Sequence, residues 1–245
     1  MLEHCRTLIE AVAPAVVAIK PQLACFERLG APGWAALASV CSFAQEQDLL
    51  VIADGKRGDI DVTAAAYADG LFGGLVTPAG PVAGLGADAA TVAPYMGSDS
   101  VRPFVDGARA CGGGIFVLLR TSNPGAGEIA EAELAGGRPL WERVAAMIDA
   151  LDDGSGELAD VGAVVGATAP GALARARELL PRAVFLLPGV GAQGGRIEDL
   201  EPAFTPGPGG GLIAVSRTIV QAGSIASART LAETLRERAW STACG

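Results

Sequence analysis

Leu49-Leu50-Val51-Ile52-Ala53-Asp54-Gly55-Lys56-Arg57-Gly58-Asp59-Ile60 runs from five consecutive apolar residues straight into four charged residues within six positions. An apolar run without alternation is how a strand covered on both faces reads. Working outward, similar runs recur at 16–20, 89–93, 114–119, 162–166, 184–187 and 212–215. Between them lie amphipathic or alanine-rich stretches at roughly 2–13, 33–47, 61–72, 99–111, 138–151, 170–180 and 222–240. Strands alternating with helices imply a parallel sheet with crossover helices. Segments 73–88, 152–157 and 206–211 are rich in Gly, Pro or Asp and are expected to be loops. None of them reads as a linker, so residues 1–245 are expected to form one domain. Polar residues gather just past the strands, where a (β/α)8 TIM barrel carries its chemistry. The fold expected is therefore α/β, a (β/α)8 barrel. Only seven strands are found, and the chain opens on a helix. A seven-stranded parallel barrel would leave an unpaired edge. Either an eighth strand is hidden, or the sequence begins one βα unit late.

The chain has two lysines against sixteen arginines. Both lysines, Lys20 and Lys56, end strand-like runs. Arginine serves wherever only surface charge is needed, but a guanidinium cannot give up a proton at ordinary pH. The two remaining lysines are therefore candidates for chemistry, the alternative being a chance remainder of an Arg-rich composition. A net charge of −9 argues against nucleic acid or an anionic membrane surface as partner. No apolar run is long enough to span a bilayer, and no signal peptide is visible. Five scattered cysteines without a Cys-x-x-Cys suit free thiols in a reducing cytosol. A single histidine, His4, rules out most His-dependent hydrolase schemes and most transition-metal sites.

Strand periodicity sends Asp54 and Lys56 to one side, and Lys20 joins them if its strand is adjacent. Asp59 lies beyond the strand, and periodicity does not say where its carboxylate points. The plain alternative is a solvated turn with incidental ion pairs. At these residues the chain resembles the orotidine 5′-monophosphate decarboxylases, in the style of their actinobacterial branch. The resemblance is carried by Asp54-Gly-Lys-Arg-Gly-Asp-Ile60, Lys20-Pro-Gln, Thr121-Ser-Asn-Pro124 and Pro188-Gly-Val-Gly191, and runs from about residue 4 past residue 217. It implies that Lys56 protonates C6 of the pyrimidine, that Asp54 lies beside the departing carboxylate, and that Lys20 bridges Asp54 and the ribose. It implies further that Asp59, Ile60 and Thr63 reach into a neighbouring subunit's site, making a homodimer with shared active sites. Ser122 and Pro188 are expected at the pyrimidine ring, and Gln193 and Arg217 at the phosphate of the orotidine 5′-monophosphate substrate. No metal or organic cofactor is implied.

Decarboxylation at C6 leaves an electron pair in an orbital orthogonal to the ring π system, so stabilisation must be electrostatic. Repulsion between Asp54 and the substrate carboxylate, roughly 4 kcal/mol at 4 Å and an effective dielectric of 20, is small beside barrier reductions of about 8–23 kcal/mol. The ammonium is expected to contribute more than this repulsion.

Gly189-Val-Gly191-Ala-Gln-Gly194 also matches the dinucleotide fingerprint Gly-x-Gly-x-x-Gly. A dinucleotide site needs an acidic residue at the end of the next strand. That strand runs into Ser216-Arg217 instead, which suits the phosphate position of a barrel. The family's first-strand aspartate, in a Gly-Leu-Asp-Pro-like segment, has no counterpart here. The expectation is that the chain starts downstream of a longer reading frame encoding an Asp-Pro-containing strand. Two other readings stay open: a magnesium-dependent sugar-phosphate decarboxylase or aldolase sharing the Asp-x-Lys-x-x-Asp core, and a non-catalytic nucleotide-phosphate binder.

Overall fold

The amphipathic first stretch forms α1 (Leu2–Val12), which buries Ile9, Ala11 and Val12 and ends in a 3-10 turn containing Pro14. The structure is a computed structural model describing residues 1–245. The chain divides into two compact units, Met1–Ile115 with Ile219–Arg236, and Phe116–Thr218 with Glu237–Gly245.

In the first unit, β1 (Ala18–Ile19) lies parallel to β2 (Leu50–Arg57), Ala18 facing Leu50 and Ile19 facing Val51. Between them come α2 (Leu23–Glu27) and α3 (Ala31–Gln45), the latter opened by Pro32 after Gly30 at φ 65°. After β2, α4 (Asp61–Leu71) leads into a small antiparallel hairpin of β3 (Leu75–Thr77) and β4 (Gly80–Val82). This corrects the expectation of a plain loop over 73–88. Thr77 Oγ1 donates to Gly80 O at 2.7 Å, and Gly80 takes φ 116° to close the turn. Next, β5 (Ala89–Val92) runs parallel to β2 and is followed by α5 (Ser98–Ala110). Here α4 and α5 pack closely, because a Cβ on Gly107 would sit 2.9 Å from Ala68 Cβ; Tyr67 and Phe104 stack beside that contact. The first residue of β6 (Gly114–Arg120) donates its N–H to Asp88 O at 2.9 Å.

In the second unit, α6 (Ala126–Ala130) and α7 (Leu140–Asp149) precede β7 (Ala159–Val165). Then come α8 (Pro170–Leu179), β8 (Ala183–Pro188) and β9 (Gly211–Ala214), with β7, β8 and β9 parallel in that order. Gly166 just past β7 donates to Arg120 O at the end of β6. The expected loop at 206–211 contains one 3-10 turn, Pro208–Gly210. Arg177 on α8 is buried without a carboxylate partner. Its guanidinium donates to the carbonyls of Leu180 and Ala183 at 2.8 Å, Ala203 at 2.7 Å and Gly210 at 3.1 Å, and lies 3.9 Å over the Phe185 ring. Burial brings its pKa down to about 10, which leaves it cationic at neutral pH. The short α9 (Arg217–Val220) and the long α10 (Ile225–Cys244) complete the chain. In the first unit, Ala232 of α10 packs on Val12 and Ala15, and Arg229 donates to Ala11 O.

All seven expected strands and all seven expected long helices are present. No helix is long and apolar enough to cross a membrane. All five cysteines are free thiols.

Candidate active site

The charged cluster in the first unit is built on an interruption of the β2–β5 ladder. Pairing runs Ile52 to Ala89 and Ala53 to Ala90, then resumes at Arg57 opposite Val92. Asp54, Gly55 and Lys56 therefore stand against Thr91 alone. This is a bulge, which re-aims side chains where pairing stops. Lys56 takes φ 48°, a left-handed conformation unusual outside glycine. Its N–H turns to the Thr91 hydroxyl at 2.9 Å. The same hydroxyl donates to Asp54 Oδ1 at 2.9 Å. Arg57 Nη1 donates back to Gly55 O at 3.1 Å, while its Nη2 pairs with Glu27 of α2. A Cβ on Gly55 would meet Leu23 Cδ2 at 2.8 Å, so the fully buried Leu23 would have to shift to admit a side chain there.

The expectation that Asp54 and Lys56 share one side holds, but its stated cause does not. A flat strand would place them together by alternation; here the bulge and the left-handed Lys56 do so. Lys56 Nζ reaches Asp54 Oδ1 at 2.6 Å, and Lys20 Nζ pairs with Oδ2. Lys20 arrives because β1 is the parallel neighbour of β2, and because Asp54 N–H bonds to Pro21 O at 3.1 Å. Asp54 is 4% exposed. Burial pushes its carboxyl up, but Lys20 and then Lys56 more than reverse this and hold it below the usual carboxylate range. One carboxylate thus anchors two ammonium groups, and the side chain of Lys56 is open to solvent.

Asp59 does not join this triad. Its Oδ1 accepts the Ile60 N–H at 2.8 Å, and it forms no ion pair. Ile60 and Thr63, at the start of α4, are exposed. Asp61 between them takes φ 45°, a second strained residue in the same segment.

The second unit carries the remaining expected residues. Ser122, just past β6, donates from Oγ to Gln193 Oε1 at 3.1 Å. Gly166 and Gly189 back Ser122 closely; added Cβ atoms would sit 2.8 Å from its Cα and 3.0 Å from its Cβ respectively. Pro188 is the half-buried last residue of β8. Gly189, Gly191 and Gly194 all take positive φ, which only glycine adopts freely. This loop leads into a 3-10 segment, Ile197–Phe204, rather than an α-helix, so the dinucleotide reading lacks its helix N-terminus. Arg217, at the start of α9 past β9, is exposed and has no carboxylate partner.

No three His, Cys, Asp or Glu side chains gather as a metal-binding group. Thr91 is the site residue that the sequence reading passed over. It is the only polar residue in the run 89–93, and that was the available signal.

The chain matches the model of the Orotidine 5′-phosphate decarboxylase / HUMPS family over residues 2–231. It is 47% identical over 236 residues to the orotidine 5′-phosphate decarboxylase of Deinococcus radiodurans, covering 94% of this chain and 81% of the relative. A Streptomyces avermitilis crystal structure assigned to the same enzyme superposes with a TM-score of 0.85 at 38% identity, over 98% of this chain and 82% of that one. The Leishmania donovani OMP decarboxylase structure does so at 0.80 and 36%, over 98% and 88%. The α/β, TIM-barrel-like class expected from strand–helix alternation is the class of these neighbours.

Proposed function

The chain belongs to the orotidine 5′-phosphate decarboxylase / HUMPS family, and on that premise we propose that it converts orotidine 5′-monophosphate to uridine 5′-monophosphate in pyrimidine biosynthesis. The observation that carries this reading is the Lys20–Asp54–Lys56 triad, a solvent-open ammonium aimed by a buried carboxylate. The reaction needs no metal or organic cofactor. The C6–carboxylate bond breaks, CO2 departs, and the bonding pair stays on C6. The Lys56 ammonium stabilises that pair and passes one proton to C6, leaving a neutral amine that solvent reprotonates. Asp54 holds Lys56 in line and adds a smaller repulsion against the substrate carboxylate. Lys20 fixes the far oxygen of Asp54 and binds the ribose.

Ser122 and Pro188 bind the pyrimidine, and Gln193 and Arg217 the phosphate. A cation without a carboxylate of its own, as Arg217 is, suits a phosphate dianion. The active unit is a homodimer in which Asp59, Ile60 and Thr63 serve the partner's site. In support, Asp59 has no cation in its own chain, and Ile60 is 48% exposed. The same reading takes residues 1–245 as a single domain.

The test follows loss of orotidylate absorbance. Wild-type protein turns the substrate over and is indifferent to EDTA, while Lys56→Ala is inactive. Lys56→Arg falls by about 100- to 1,000-fold, since a planar guanidinium neither fits nor releases a proton. Loss of activity with EDTA would point to metal-assisted chemistry. Binding of uridylate without turnover would point to a non-catalytic binder. A Lys56→Arg variant near wild-type activity would end the proton-donor assignment.

A further inference from the structure

The left-handed backbone of Lys56 puts its amine beside Asp54, and something must hold a non-glycine residue there. Strand pairing does not, because the ladder is broken from Asp54 to Lys56. The Lys56 N–H would be left without a β5 carbonyl, and one side-chain oxygen receives it. That oxygen, Thr91 Oγ1, spends its own hydrogen on Asp54 Oδ1, the same oxygen that accepts the Lys56 ammonium. Thr91 is 1% exposed, so no water replaces this hydroxyl without opening the core. It therefore ties the backbone of the proton donor to the carboxylate that aims it.

We propose that Thr91 is a positioning residue for decarboxylation, fixing the Lys56 main chain and the Asp54 carboxylate in one geometry through a single hydroxyl. This rests on the decarboxylase reading above. Thr91 does not touch the substrate, and its effect falls on the proton-transfer geometry rather than on binding.

Two variants separate positioning from packing. Thr91→Val keeps the branched shape and deletes the hydroxyl, whereas Thr91→Ser keeps the hydroxyl and deletes a methyl. In Thr91→Val, kcat falls by about 10- to 100-fold with KM within a factor of about 3, as a displaced reacting group produces. Thr91→Ser restores kcat to within about 3-fold of wild type, although it removes buried volume. A crystal structure of Thr91→Val shows Lys56 leaving the left-handed region and its Nζ parted from Asp54. Unchanged kcat in Thr91→Val, equal losses in both variants, or an undisturbed Lys56 in the crystal would each overturn the proposal. If wild-type protein itself fails to turn over orotidylate, the decarboxylase reading falls. The crystal structure of the valine variant then still decides whether Thr91 positions Lys56.

Discussion

Replacing Asp54 with Asn removes one negative charge from between two positive ones while keeping the size of the side chain. At charge separations near 4 Å each ion pair is worth about 4 kcal/mol at an effective dielectric of 20, and about 1 kcal/mol in water. The Lys56 side chain is 44% exposed and that of Lys20 24%, so the Lys56 pair lies toward the watery limit and the Lys20 pair nearer the other. The Asn amide keeps one acceptor but turns an NH2 toward one of the ammonium groups. The net loss expected is about 3 kcal/mol, at the lower end for stripping one partner from a buried pair. For a chain of this size that corresponds to a fall in Tm of about 6–12 °C, read by circular dichroism. Adding Lys20→Met to Asp54→Asn removes one of the two uncompensated ammonium groups and should recover part of the loss. The double-mutant cycle then reports a coupling of about 1–3 kcal/mol between positions 20 and 54. An Asp54→Asn protein as stable as wild type, or a double variant less stable than Asp54→Asn alone, would refute the idea that this carboxylate anchors both amines.

Mixed dimers test the proposed shared site. Lys56→Ala and Asp59→Ala protein are each inactive alone, but random reassortment puts half the dimers in mixed form with one intact site, giving roughly a quarter of wild-type turnover. A mixture no more active than its parents would rule out an Asp59 lent by the partner. Acid titration tests the charge state of Asp54, whose folded pKa lies below its ordinary value of 3.8. A depressed carboxyl gives its full stabilisation above the unfolded value and loses it as pH falls through the folded one, so the stability gap between wild type and Asp54→Asn should hold from pH 7 down to about 4 and shrink only below that. Urea unfolding at a series of pH values measures this, and a gap already closed at pH 5 would contradict it. Finally, Arg177→Met takes the guanidinium donor from four buried carbonyls, of which Leu180 O keeps only the Ala183 N–H at 3.4 Å, and should cost at least about 3 kcal/mol in urea unfolding; a change under about 1 kcal/mol would mean water or neighbouring groups satisfy them.

The alternation of strands and helices was legible because most strands are continuously apolar and covered, a pattern that survives without tertiary knowledge. The β3–β4 hairpin was not. Its apolar residues Leu75, Val76 and Val82 point outward at 52%, 84% and 55% exposure, so they show no core-facing period, and Gly and Pro dominate the segment. At the site, composition and position pointed to Asp54 and Lys56 on one side, with Lys20 joining them on condition that its strand is the neighbour of β2, which it is. The bulge was not read, though Gly55 inside a strand is the usual mark of one. Thr91 gave a signal in being the single hydroxyl of an apolar run; that it bonds Asp54 depends on the ladder breaking opposite it. The meeting of Ser122 with Gln193, 71 residues apart, follows from the order of strands in the second unit and has no local signature.

Lysine scarcity has a practical side for anyone handling this protein. Amine-directed reagents such as succinimidyl esters find only the N-terminal amine, Lys20 and Lys56, and Lys56 is the more open of the two side chains. Coupling to a resin, biotin or a dye by that chemistry therefore falls on the proposed reaction centre as well as on the N-terminus. Thiol-directed attachment, for example through the exposed Cys244, leaves both lysine amines unmodified.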